Sequence, residues 1–141
     1  MNIMVLHGPN LNLLGRREPD IYGATTLDEV NTKLMEYGAQ HRLSCRFLQS
    51  NHEGALIDAL HDVVDWAQGV IINPGGYTHT SVALRDAIAA VAIPTIEVHI
   101  SNVAAREPFR QHSLLAPVCV GTISGMGWQG YLLALHWFVL Q

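Results

Sequence analysis

The sequence predicts a doubly wound α/β fold, one parallel sheet with helices on both faces, and three observations predict it. Short apolar runs alternate five times with helical patterns along 141 residues, which marks a parallel sheet covered on both sides. With 49% hydrophobic residues and no linker-like stretch, the chain has the makings of one domain over residues 1–141 with a full core. The polar, glycine- and proline-rich segments fall after the strands, at the sheet edge where such folds take their ligands.

The first strand is expected at residues 2–7. It empties into Gly8-Pro9-Asn10 and a segment over 15–23 with too many glycines, prolines and charges to pack, which reads as a lid. Thr26 and Glu29 form a capping box, and Leu27, Val30, Leu34 and Tyr37 repeat at helical spacing behind it. Residues 43–48 read as the second strand. Leu56, Ile57, Leu60, Val63 and Val64 then mark a helix to about residue 66.

Val70-Ile71-Ile72 is the third strand, and Pro74, with no N–H for a ladder, ends it near Asn73. Gly75 and Gly76 permit a sharp turn, after which Thr78, Thr80 or Ser81 can cap a helix bearing Leu84 and Ile88. Taken alone, that stretch favours an ordinary Gly-Gly turn between strand and helix over a ligand loop. In residues 94–101 a period of two sets Ile96, Val98 and Ile100 on one face and Glu97, His99 and Ser101 on the other. A polar connection to Pro117 precedes a fifth strand over 118–123, and glycines 121–127 look like a close-packing device ahead of a last helix from about Trp128. Handedness and size favour a flavodoxin-like sheet, strand order 2-1-3-4-5.

Composition removes several classes of function. The net charge is -4, and the seven arginines and one lysine are scattered, so no basic patch awaits nucleic acid or an anionic membrane. Cys45 and Cys119 form no C-x-x-C, the N-terminal residues lack the pattern of a signal peptide, and no apolar run is long enough to span a bilayer. A cytoplasmic protein is expected. No H-E-x-x-H, P-loop or G-x-G-x-x-G appears where it would be needed, so neither a metal nor a cofactor is expected.

Four groups of chemically capable residues gather at the predicted ligand edge: Asn10, Arg16, Arg17 and Tyr22; Asn73 and His79; Glu97, His99 and Ser101; Arg106 and Arg110. Glu97 and His99 can hydrogen-bond on one face of a strand, the arrangement that supports a general acid or base, though a structural pair fits their spacing too. Capping explains Asn73 and His79 as well, and solvated loop charge explains the arginines. Tyr22 lies five residues after Arg17. A nearby guanidinium favours tyrosinate by roughly 1 to 3 units from a reference near 10, which would make Tyr22 a base rather than a packing side chain. A Ser101/His99/Glu97 hydrolase is disfavoured, since alternate residues on a strand project in parallel and no nucleophile elbow is present.

Three blocks, HGPNLNLLGRREPDIYG, INPGGYTHTSVALRDA and EVHISNVAAREPFRQHS, with a GxxxGxGxxGY run before the last helix, closely resemble the signatures of type II 3-dehydroquinate dehydratase. The resemblance runs from residue 1 to 134, departing at Ala104 and in the apolar tail 136–141. It implies reversible dehydration of 3-dehydroquinate to 3-dehydroshikimate in the shikimate (chorismate) or quinate pathway, without metal or cofactor. It further implies Tyr22 as base, Arg17 as the group that holds it ionised, His99 as acid and Glu97 as the support of His99. Asn73, His79 and Arg110 match ligands of the substrate hydroxyls, Ile100 and Ser101 the pair that receives the carboxylate, and Asn10 and Arg106 border the site. Asp86 matches a substrate-associated position but lies ~10 Å along the helix from His79 at 1.5 Å per residue. Because the family assembles trimers into dodecamers, Asp86 is expected to complete a neighbouring subunit's site; a surface carboxylate paired with Arg85 or Arg106 is the alternative.

One fact of composition supports this chemistry independently. A Schiff-base dehydratase needs an active-site lysine. The single lysine, Lys33, falls on the polar side of the first helix, away from every strand's carboxyl end. The competing class is a flavin carrier or receiver module of the same fold. A receiver needs acidic residues after strands one and three and a late lysine, where this chain has His7-Gly8-Pro9-Asn10, Asn73 and no such lysine.

Overall fold

The computed structural model describes residues 1–16, 18, 20 and 23–141. Five strands, β1 (Asn2–His7), β2 (Ser44–Gln49), β3 (Gly69–Asn73), β4 (Thr95–His99) and β5 (Gly121–Ser124), form one sheet in the order β2-β1-β3-β4-β5. All four pairings are parallel. Helices α1 (Leu27–Gln40), α2 (Glu53–Asp62), α3 (Val82–Val91) and α4 (Gln129–Val139) cover it.

Strand alternation distributes the core between the two faces. Ile3, Val5, Ile71, Ile96 and Val98 pack with Val30, Leu34 and Leu135 of α1 and α4. Met4, Leu6, Val70 and Ile72 pack with Leu56, Leu60, Leu84 and Ile88 of α2 and α3. Most of these side chains are fully buried, and each such aliphatic side chain contributes roughly 1.5–3 kcal/mol relative to exposure. Gly130 lets α4 approach the sheet closely, because a Cβ there would lie 3.3 Å from Val98 and 3.4 Å from Ile123.

Local signals set most boundaries. Thr26 Oγ1 accepts from Glu29 N–H at 3.2 Å and starts α1. Of the three capping candidates after β3, Ser81 serves, accepting from Leu84 N–H at 2.9 Å. The expected helix through residue 66 stops at Asp62 and finishes in turns closed by Trp66 N–H on the Val63 carbonyl. The expected fifth strand begins three residues late: Pro117 lies in a short 3-10 turn (Ala116–Val118), and β5 starts at Gly121. Of the glycines read as a packing device, Gly125 and Gly127 have φ of 88° and 63°, turn conformations that reverse the chain into α4. No helix of the described residues is long and apolar enough to cross a membrane.

Candidate active site

The carboxyl ends of β1, β3 and β4 enclose a cavity of about 150 Å³. Two close approaches shape its floor. Gly8 N–H donates to the Asn73 carbonyl at 2.7 Å, and a Cβ on Gly8 would sit 2.6 Å from the Pro74 carbonyl. Asn10, with φ of 69°, turns the chain over the cavity and donates its N–H to Asn51 Oδ1 at 3.0 Å.

Of the residues singled out in the sequence, Asn10, Asn73, His79, His99, Ile100, Ser101, Arg106 and Arg110 all line this cavity. Glu97 stands behind His99, and Asp86 is exposed and outside the cavity. Arg17 and Tyr22, and with them much of the expected lid, lie outside the described residues.

Glu97 and His99 share the face of β4 opposite Ile96 and Val98, as alternation requires, and both are buried. His99 Nε2 lies 2.5 Å from Glu97 Oε2. Two hydroxyls that sequence reading did not assign to the site complete the carboxylate's shell. Thr78 Oγ1 donates to Oε2 at 2.9 Å, and Ser113 Oγ donates to Oε1 at 2.8 Å. Thr78 looked like a helix cap, and Ser113, 16 residues beyond Glu97, gave no periodic signal. Burial pushes the Glu97 carboxyl up, but hydrogen bonds from His99, Ser113 and Thr78, with the charge of a protonated His99, outweigh it and hold the group below the usual carboxylate range. An ionised Glu97 accepting from Nε2–H fixes the ring of His99 and leaves Nδ1 as its other proton-transfer atom.

The remaining polar groups are oriented as well. His79 Nδ1 lies 2.8 Å from the His112 carbonyl, so Nδ1 carries a hydrogen and donates it there. Asn73 Oδ1 accepts from Gly75 N–H at 3.1 Å. Arg106 Nη1 donates to Ser101 Oγ at 3.2 Å, leaving the hydroxyl hydrogen for a ligand, and Arg110 pairs with Glu107. Thiol chemistry is disfavoured: burial pushes Cys45 up to about 11, and burial with the nearby Glu97 charge pushes Cys119 up to about 12.

A flavodoxin-like sheet with an imidazole–carboxylate pair at its carboxyl edge, facing a small polar cavity, defines an acid–base enzyme rather than a carrier module. Residues 1–139 match the family model described as dehydroquinase class II. The chain is 59% identical over 139 residues to a 3-dehydroquinate dehydratase of Nostoc sp., covering 99% of this chain and 95% of that one. It is 58% identical over 141 residues to the enzyme of that name from Ralstonia pickettii, covering 99% and 91%. The crystal structure of type II dehydroquinase from Propionibacterium acnes superposes with a TM-score of 0.96 at 45% identity, covering 99% and 97%. The chain belongs to the class II dehydroquinase family.

Proposed function

We propose that the protein is a 3-dehydroquinate dehydratase, a hydro-lyase of the shikimate pathway, acting through an enolate. The observation that supports this most directly is His99, fixed by an ionised Glu97 and facing the cavity beside Ser101 and Arg106. Removing a proton α to a ketone requires a base and support for the enolate, and loss of the β-hydroxyl as water requires an acid. Tyr22, held as tyrosinate by Arg17, takes the α-proton. His99 then gives a proton to the departing hydroxyl, while Glu97 compensates the imidazolium charge. Asn73, His79 and Arg110 bind the ring hydroxyls. The backbone N–H groups at Ile100 and Ser101 and the Ser101 hydroxyl receive the carboxylate, with the Arg106 cation behind them.

The purified protein is expected to generate the ultraviolet absorption of the conjugated enone from 3-dehydroquinate, after exhaustive chelation and after borohydride treatment with substrate present. Loss of activity on chelation, or borohydride inactivation with a mass adduct on Lys33, would refute the cofactor-free enolate route.

The site is shared between subunits in this reading. Asp86 lies outside its own cavity, and Arg85, its neighbour on α3, donates to the Leu114 carbonyl at 3.0 Å. In a dodecamer built of trimers, Asp86 completes an adjoining subunit's site through a water or an arginine. Asp86→Ala, once shown to impair catalysis alone, should regain activity when co-assembled with inactive Arg17→Ala subunits. Verified mixed oligomers no more active than either parent would confine Asp86 to its own chain.

A further inference from the structure

The Glu97–His99 pair is held from outside its own strand. Between the 3-10 turns Pro108–Arg110 and Ala116–Val118, the connecting chain is tied to its neighbours. The His112 carbonyl accepts from His79 Nδ1 at 2.8 Å, Leu114 N–H donates to the Thr78 carbonyl at 2.8 Å, and the Leu114 carbonyl accepts from Arg85 Nη1 at 3.0 Å. Ser113 sits between these anchors, half-buried, with its Oγ 2.8 Å from Glu97 Oε1 and 3.1 Å from Oε2.

Hydrogens and lone pairs give that contact a direction. Leu115 N–H and Ala116 N–H donate to Ser113 Oγ at 3.2 and 3.0 Å, so the turn occupies both lone pairs of the hydroxyl. Its single hydrogen is left for Glu97 and is shared between the two carboxylate oxygens. A protonated Glu97 would find no acceptor in Ser113. Thr78 agrees: its hydrogen goes to Oε2 at 2.9 Å, so its oxygen, 3.2 Å from His99 Nε2, faces that nitrogen as an acceptor.

With one proton to share, Glu97 and His99 can be an imidazolium beside a carboxylate or a neutral ring beside a carboxyl. The choice matters chemically. An imidazolium that gives up its Nδ1 hydrogen becomes a neutral ring, whereas the neutral ring would have to become an imidazolate. Both hydroxyls, as donors, favour the carboxylate. Burial pushes the Glu97 carboxyl up, and the bond from Ser113 is among those that hold it low. A further titratable group near the carboxylate, the Cys119 thiol, is pushed up to about 12 by burial and by the Glu97 charge, so it brings no competing charge.

We propose that Ser113 is a positioning residue of the acid: a hydroxyl made donor-only by the turn that follows it, holding Glu97 as the carboxylate that keeps a hydrogen on His99 Nε2 and leaves Nδ1–H for transfer. Ser113 lies outside the lining of the cavity, so it acts on the proton and not on the ligand. The kinetic consequence rests on the proposed dehydratase function; the place of the Nε2 hydrogen does not.

Ser113→Ala removes the donor and keeps the backbone of the turn. It is expected to lower kcat for 3-dehydroquinate about tenfold with KM nearly unchanged, the scale of one lost hydrogen bond to a charged group. The acid side of the kcat profile should also move to higher pH. The active form needs an ionised Glu97, activity falls as pH drops through its titration, and a carboxylate that has lost a donor is easier to protonate. In a Glu97→Gln background the same substitution should cost little further, because no charge is left to hold. Equal losses in both backgrounds, or an unmoved acid limb, would reduce Ser113 to a cap of its turn and overturn the proposal.

The wild-type protein supplies a second test that needs no folded variant and no activity. Long-range ¹H–¹⁵N spectra should show a hydrogen on His99 Nε2 at every pH at which the fold persists. An Nε2 without hydrogen would place that proton on the carboxyl or nowhere in the pair, and would overturn it. Absence of dehydratase activity in the wild type would sink the functional reading, and the Nε2 hydrogen would still decide what Ser113 does to the pair.

Discussion

Tyr22→Phe is expected to lower kcat by roughly 10²- to 10⁴-fold, the usual contribution of a general base, with little change in KM. Phenylalanine preserves the ring and deletes the one oxygen that can take the α-proton. Arg17→Ala should behave similarly, since a tyrosinate near neutral pH needs a cation beside it and the developing enolate needs the same charge. The two substitutions act on one step, so the double variant should be little worse than the poorer single one. Steady-state assays with 3-dehydroquinate decide the matter. A Tyr22→Phe enzyme with near wild-type kcat would remove Tyr22 from the role of base and make His79 the next candidate, because it lines the cavity with its Nδ1 side anchored on the His112 carbonyl.

The strand ends were legible in the sequence where covalent chemistry dictated them. Pro74 has no N–H for the ladder, and β3 stops at Asn73 immediately before it. The period of two in residues 94–101 placed Glu97 and His99 on one face, and the structure joins them there at 2.5 Å. Tertiary packing decided what periodicity could not. Val63 and Val64 continue the apolar pattern of α2, yet the chain turns after Asp62 and returns to the sheet at β3. Val118 has strand character, but the turn around Pro117 delays pairing until Gly121 meets Ile96.

The candidate site divides along the same line. Residues at strand ends could be found from the sequence, because an open parallel sheet brings its carboxyl ends together whatever the loops do. Thr78 and Ser113 could not, since their hydroxyls reach Glu97 from a 3-10 turn and a connecting segment whose courses depend on the rest of the fold.

His99→Ala is expected to reduce kcat by roughly 10²- to 10⁴-fold, because the acid acts on the departing hydroxyl and contributes little to ground-state binding. Glu97 acts through His99, so Glu97→Gln should give a smaller loss: the amide can hold the ring through its oxygen but cannot balance the imidazolium charge. In a His99→Ala background Glu97→Gln should therefore cost little further activity. The carboxylate also leaves a signature in stability. Its folded pKa lies below the ordinary value of 4.5, so the stabilisation is present in full above that pH and is lost as pH falls through the lowered folded value. Below about pH 4.5 the unfolded chain binds a proton that the folded carboxylate still refuses, and that difference favours unfolding. Urea denaturation should accordingly show a stability difference between wild type and Glu97→Gln that is constant near neutral pH and shrinks in acid. A difference independent of pH would mean that Glu97 is not held ionised in the fold. Near wild-type kcat in His99→Ala would pass the role of acid to another group at the cavity.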